Sequence, residues 1–326
     1  MSENMDKIKE YIESVIEGSL PEEEGHAKPV IEAMNYAVRG GGKRIRPLLM
    51  YLTYMSFCND VSDETEQSGN NDNSTDNASE KRAGNNVSSI VEPFMAALEM
   101  IHCYSLVHDD ILDNDDLRRG KPSCHKQYGK DMALLAGDGL LNYAYETAAR
   151  AFTMKPGDID VEKAFFVLTF KPGLYGMLGG QTADVYLTGK PVDENQLEYI
   201  YRNKTSALIE CAMMIGAILA GLPQDLVDSL ENVAYKVGMA FQVRDDILDI
   251  EGDEKLLGKT VGQDADNDKY TFARIHGLDE SRKYVEDITK EALEILAEIG
   301  KEADSVNEEY FSLLTDVLKS LATRNM

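Results

Sequence analysis

The sequence predicts an all-α fold, a single large antiparallel helical bundle, on three observations. Apolar residues recur at three-to-four spacing along most of the 326 residues, strictly alternating stretches are few, and breakers rich in glycine and proline separate the periodic segments. Segments with one apolar stripe each bury it most simply against one another.

Taken in order, the pattern predicts helices over 5–17 and 28–38, followed by the break Gly40-Gly41-Gly42. Val91, Met95, Leu98, Ile101 and Ser105 then fall on one helical stripe. After Lys121-Pro122 the periodicity resumes over 131–152. Lys171-Pro172-Gly173 and Gly189-Lys190-Pro191 punctuate the chain before helices expected over 192–221 and 225–250, and Gly252 should end the latter. Two more, over 280–300 and 307–322, complete the set, and no pair of segments reads as strands. Residues 59–88 stand apart: NDVSDETEQSGNNDNSTDNASEKRAGNNVS is polar, Asn/Ser-rich and almost without apolar anchors. It is expected to be a mobile loop within one domain spanning 1–326, a passive insertion rather than a lid.

Composition narrows the function. Hydrophobic residues make up 43%, enough for a sizeable core, and 33 basic against 58 acidic side chains leave a net charge of −25. So acidic a chain repels nucleic acid and anionic lipid. An anionic substrate would need local cations or metal ions. The four cysteines, Cys58, Cys103, Cys124 and Cys211, form no CxxC pair or zinc spacing and suit a reducing cytoplasm. The start, MSENMDKIKEYIES, lacks the apolar stretch of a signal peptide, and the longest apolar run, Cys211–Leu222, is too short to span a bilayer. A cytoplasmic protein without stable membrane insertion is expected.

The pentapeptide DDILD occurs twice, as Asp109-Asp110-Ile111-Leu112-Asp113 and Asp245-Asp246-Ile247-Leu248-Asp249, each time after a long apolar stretch. Helical i,i+4 spacing pairs Asp109 with Asp113 and Asp245 with Asp249 on one face. Carboxylates in the last turns of a helix face the negative end of its dipole and repel one another, so cations must compensate. Hard oxygen ligands that share a polyanion suit Mg²⁺. One copy alone reads equally well as a solvated acidic surface; the identical repeat favours metal. Asp264, Asp266 and Asp268 alternate as in a calcium loop, but Lys269 and Ile275 stand where an EF-hand needs Gly and Glu, which excludes one.

Cations accompany both motifs. Gly40-Gly41-Gly42-Lys43-Arg44-Ile45-Arg46-Pro47 sets basic residues behind glycines, suited to phosphate though not in Walker spacing. On its own it reads as readily as a surface turn. Arg118 and Arg119 follow the first acidic motif; guanidinium binds phosphate bidentately, although Asp115 and Arg119 would also make an ordinary i,i+4 helix pair. Lys204-Thr205 and Lys259-Thr260 are weaker signals that gain meaning only from their neighbours.

Together GGGKRIRP, HDDILDNDDLRRGKPSCH, LLAGDGLL, GGQTADV, YRNKTSALIE and FQVRDDILDIEGDEKLLGKTVGQDADNDKYTF resemble, in order, the trans-prenyl diphosphate synthase family, above all its bacterial farnesyl diphosphate synthases. The resemblance runs from about residue 28 to the C-terminus, apart from 59–88. It implies an isoprenoid-synthase bundle, commonly a homodimer, that joins isopentenyl diphosphate to allylic diphosphates with Mg²⁺. Asp109, Asp110 and Asp113 match the first metal motif, and Asp245, Asp246 and Asp249 the second. Lys43, Arg46 and His102 match residues that hold isopentenyl diphosphate; Arg118 matches an allylic-diphosphate contact and Arg119 an isopentenyl-diphosphate contact. Lys204, Thr205, Gln242 and Lys259 match groups lining the reaction centre or the leaving diphosphate. The implied chemistry is ionisation, condensation and proton loss, without a catalytic His, Ser or Cys.

Two departures matter. The first motif is the short DDxxD form, without the two extra residues usual in bacterial farnesyl synthases, and Arg324 is the only cation among the last few residues. Product length is therefore open between C15, which the overall resemblance favours, and the C20 geranylgeranyl product. Family precedent places chain-length control at Tyr104 and Ser105, with Tyr104 as a pocket floor, although a tyrosine there also suits plain core packing. A terpene cyclase would not need Lys43, Arg46 and His102, and an inactive acidic regulatory subunit would not need both aspartate sets.

Overall fold

The computed structural model describes residues 3–58, 89–252 and 270–323. The loop expected at 59–88 and Lys259 lie outside them. The first helices are α1 Glu3–Ser19, α2 Lys28–Arg39, α3 Ile45–Phe57, α4 Glu92–Leu112, α5 Cys124–Tyr128, α6 Lys130–Ala149, α7 Ala151–Met154, α8 Ile159–Phe170, α9 Met177–Leu187 and α10 Glu194–Ile200. A π-helical turn, Tyr201–Ser206, leads into α11 Ala207–Leu219; α12 Gln224–Glu251, α13 Phe272–His276, α14 Leu278–Glu302 and α15 Glu308–Thr323 follow. The helix expected over 192–221 is thus interrupted by a π turn. Five helices have no counterpart in the periodic pattern: α3, α8 and α9, and the five-residue α5 and α13, which are too short to show a period. In α3, residues Pro47 to Phe57 are all buried, because α1, α4, α11 and α15 surround the helix and leave it no polar face. Without a polar face there is no period to read. α8 and α9 do keep an exposed face, but apolar side chains stand on it, Ile159, Phe166 and Phe170 on α8 and Leu178, Val185 and Tyr186 on α9, which blurs the period.

α4 packs most extensively on α6, α12 on α14, and α11 on α3. Phe94, Leu98 and Ile101 of α4 are fully buried, each contributing about 1.5–3 kcal/mol by leaving water. α12 joins two cores: Leu226 to Val237 belong to the larger one, and Met239 to Ile247 to a smaller one shared with α10, the π turn, α13 and α14. Asp193 caps α10 in a capping box with Gln196, and Asp158 caps α8. α12 ends at Gly252, as expected.

One short ladder was not expected. β1 Leu117–Arg118 pairs antiparallel with β2 Lys121–Pro122. The turn between them, Arg119-Gly120, has φ of 53° and 76°, the geometry of a tight hairpin turn. Asp115 and Arg119 therefore do not share a helix. No helix among the described residues is long and apolar enough to cross a membrane.

Candidate active site

α4 carries two half-sites of opposite charge. At its C-terminal end Asp109 and Asp113 lie one turn apart, facing residues from α9 and the π turn. Gln181 of α9 donates from Nε2 to Asp109 Oδ1 at 2.8 Å. Lys204 of the π turn donates from Nζ to Asp184 Oδ2 at 2.5 Å. Burial opposes the charge on Lys204, but Asp184, Asp109 and Asp113 outweigh it and hold the ammonium above the ordinary lysine range. One cation thus sits among three carboxylates. The turn can approach α9 so closely because of Gly180: a Cβ there would meet the Lys204 backbone nitrogen at 2.2 Å. Thr205 donates from Oγ1 to Gln242 Oε1 at 2.8 Å. This bond ties the turn to α12 just before Asp245, which shares a face with Asp249 one turn on.

Two turns back along α4, His102 marks a basic half-site. Burial first, then Arg46, Arg119, Arg118 and Arg44, push its pKa well below the usual histidine value, so it is neutral at pH 7. Arg44 is buried in a left-handed conformation, φ 48°. Its guanidinium donates to Glu13 of α1 at 2.8 Å, to Glu99 of α4 at 2.9 Å and to the Val38 carbonyl at 2.8 Å. It fixes the loop that exposes Lys43. Gly42, with φ 137°, lies against Arg119: a Cβ there would meet the guanidinium carbon at 2.7 Å and push that side chain aside. Arg46 Nε is buried without a hydrogen-bond partner. Among the described residues neither Arg46 nor Arg119 makes an ion pair with a carboxylate. Clustered guanidiniums with unused donors call for an anion.

Three of the six motif carboxylates are buried, Asp110, Asp246 and Asp249, and protein donors engage the first two. Asp110 is 2% exposed and accepts from Arg118 Nε at 2.7 Å, with the guanidinium Nη2 also in contact. Asp246 is 2% exposed and accepts from Tyr201, Gln242 and the Phe272 backbone. Adjacent residues on a helix point about 100° apart, so the middle aspartate of each motif turns inward. Arg118 is correspondingly occupied by Asp110 and, at 3.5 Å, Asp115. The sequence held the signal: Cys103, Val107 and Asp110 continue one buried stripe, as do Met239, Val243 and Asp246. Gln181 and Asp184 received no role from the sequence, although GGQTADV was recognised as a motif. Tyr104 is buried, and its ring lies edge-on to His108 at 5.8 Å. Burial first, then Tyr145, push its phenol up to about 12. Ser105 donates to the His102 carbonyl at 2.8 Å.

The polyprenyl synthetase family profile matches residues 27–310. The chain belongs to that family. This polyprenyl synthetase is 36% identical over 305 residues to the farnesyl diphosphate synthase of Haemophilus influenzae, covering 91% of this chain and 92% of that protein. It is also 36% identical over 303 residues to the large subunit 1 of the heterodimeric chloroplastic geranylgeranyl pyrophosphate synthase of Arabidopsis thaliana, covering 91% of this chain and 73% of that protein. Its fold matches the geranyltransferase of Helicobacter pylori complexed with magnesium and isoprenyl diphosphate, with a TM-score of 0.77, 26% identity, and coverage of 99% and 97%.

The donor chemistry of the acidic half-site fits a hard divalent ion. Asp109, Asp113 and Asp184 surround one ammonium, and oxygen is their only donor atom. Among the described residues no three acidic, His or Cys side chains converge tightly enough to hold a metal unaided. Mg²⁺ ordinarily takes one or two carboxylates and completes its shell with phosphate oxygens and water. Such a set suits an ion that arrives with a diphosphate.

Proposed function

We propose that this polyprenyl synthetase is a Mg²⁺-dependent prenyltransferase that condenses isopentenyl diphosphate with dimethylallyl and geranyl diphosphate to give farnesyl diphosphate. The observation that carries the reading is α4 itself. One helix presents carboxylates beside Lys204 at its end and His102 among four guanidiniums two turns earlier. Two half-sites of opposite charge suit two diphosphates, one held through metal and one held directly.

In this reading Asp109, Asp113, Asp245 and Asp249 hold Mg²⁺, which supplies Lewis acidity toward the allylic diphosphate. Lys204 adds fixed positive charge where the leaving group becomes more negative, and Lys259 belongs with it by resemblance. Lys43, Arg46, Arg119 and neutral His102 hold isopentenyl diphosphate, and their geometry sets its double bond against the allylic carbon. The oxygens of Thr205 and Gln242 face developing positive charge. Tyr104 closes the pocket for the growing chain, with the small Ser105 beside it. The short DDILD and the Arabidopsis relative support geranylgeranyl diphosphate as the second reading of the product.

A cytoplasmic homodimer is part of the proposal. The described cysteines are free and buried, which suits a reducing compartment. Phe166, Phe170 and Tyr175 stack with centroids 5.6 and 6.1 Å apart while 63%, 43% and 78% exposed; such an apolar ladder suits a second copy. The test of the reaction is release of inorganic diphosphate. The reading expects release only when Mg²⁺, an allylic diphosphate and isopentenyl diphosphate are all present. Full-rate release from the allylic substrate alone would instead mark a cyclase or hydrolase.

A further inference from the structure

A line of hydrogen bonds starts at Asp246 and ends at the reaction-centre hydroxyl. Asp246 Oδ2 accepts from the Tyr201 phenol at 2.5 Å and from the Phe272 backbone N–H at 3.1 Å. Its Oδ1 accepts from Gln242 Nε2 at 3.3 Å. A carboxylate only accepts, so Gln242 must turn its amino group toward Asp246 and its carbonyl away. That carbonyl then accepts the Thr205 hydroxyl at 2.8 Å. The single Thr205 proton is thereby committed to Gln242, and Thr205 Oγ1 is left as an acceptor only. Linked hydrogen bonds polarise one another along such a chain, and the chain begins at a buried negative charge.

We propose that Asp246 is a positioning residue rather than a metal ligand. Through Gln242 it fixes the Thr205 oxygen, lone pairs available, toward the positive charge that develops on the allylic substrate. The inference rests on the prenyltransfer reading. Its burial supports the assignment: a metal ion would have to displace donors that already occupy both carboxylate oxygens. The carboxylate also fixes the first residue of the π turn and the start of α13, so the relay and a purely structural clamp make different predictions.

Asp246→Asn brings an amide that can donate to Gln242 and so lets the Gln242 amide turn over. We expect kcat to fall ~10–100-fold, the equivalent of one charge-assisted hydrogen bond, with KM for both substrates within about threefold of wild type. Calorimetric binding of inorganic diphosphate with Mg²⁺ should be unchanged. In a Thr205→Val background, Asp246→Asn should cost no more than about threefold, because the group it acts through is gone. Equal losses in both backgrounds, or a tenfold weaker Mg²⁺–diphosphate affinity, would overturn the proposal. Tyr201→Phe supplies a second arm that does not depend on Asp246→Asn folding. It removes one donor to Oδ2 and leaves the Oδ1–Gln242–Thr205 line intact, so kcat should stay within about threefold of wild type. A loss as large as that of Thr205→Val would make the clamp the cause and refute the relay. Wild-type turnover in the same assay separates the two levels: an inactive wild type sinks the prenyltransfer reading, whereas an active one leaves the relay to be judged by its own variants.

Discussion

At the scale of single residues, the site is built by turning neighbours in different directions. Asp109 faces Gln181 and Lys204, while Asp110, next to it, is buried against Arg118. The i,i+4 spacing paired Asp109 with Asp113 and Asp245 with Asp249; Asp110 and Asp246 became metal candidates only through the family resemblance, which does not say which face looks inward. The buried stripes through Asp110 and Asp246 carried that information and were legible in the sequence. The partners Gln181 and Asp184 were not, because they approach from α9, distant in the chain. Asp109→Ala removes a carboxylate from a site that must compensate a diphosphate. Turnover should fall about a thousandfold or more, about 4 kcal/mol, with the melting temperature held or raised, since negative charge at a helix C-terminus is unfavourable. Steady-state rates at saturating Mg²⁺ check this, and near wild-type turnover would refute the assignment. Tyr104 is the second residue-scale test. As a pocket floor, Tyr104→Ala should lengthen the products by one or more C5 units; an active variant with unchanged products would reduce Tyr104 to core packing.

At the scale of elements, the helices with one face in water were legible, and the enclosed α3 was not. α1, α14 and α15 show their period because one face meets water. α3 is enclosed on all sides, and its sequence shows only an apolar run. The π turn was illegible for a different reason: YRNKTS has no composition that distinguishes one extra residue per turn from an ordinary helix. Its consequence is functional, because it sets Lys204 and Thr205 toward different partners, Asp184 and Gln242. Gly180 is what lets α9 approach it. Gly180→Ala should therefore displace the turn, lowering kcat tenfold or more while far-UV circular dichroism stays native, since a misplacement of about 1 Å can cost ~100-fold. Unchanged kcat would show that the turn tolerates the shift.

At the scale of the whole molecule, charge is distributed against the composition. A chain of net charge −25 gathers Arg44, Arg46, Arg118 and Arg119 around one histidine. Arg44 connects that cluster to α1 and α4 through Glu13 and Glu99. Its hydrogen bond, opposed in part by burial, holds the Glu13 carboxyl below the usual range. A depressed carboxylate pKa stabilises the fold above the unfolded value and loses that contribution as pH falls through the folded one. Glu13 is half-exposed, so the effect is small. Melting temperatures of Glu13→Gln should accordingly decline less than those of wild type between about pH 6 and pH 3. An identical decline would leave the bridge without a role in acid stability.

The whole molecule also decides the central claim, because only the assembled site joins two substrates. Purified protein should be incubated with Mg²⁺, radiolabelled isopentenyl diphosphate and, separately, dimethylallyl, geranyl or farnesyl diphosphate, and the dephosphorylated products resolved by chain length. Labelled C15 alcohol from the first two primers, with little C20 from the third, is the predicted result; an absence of labelled condensation product with every primer would contradict the account.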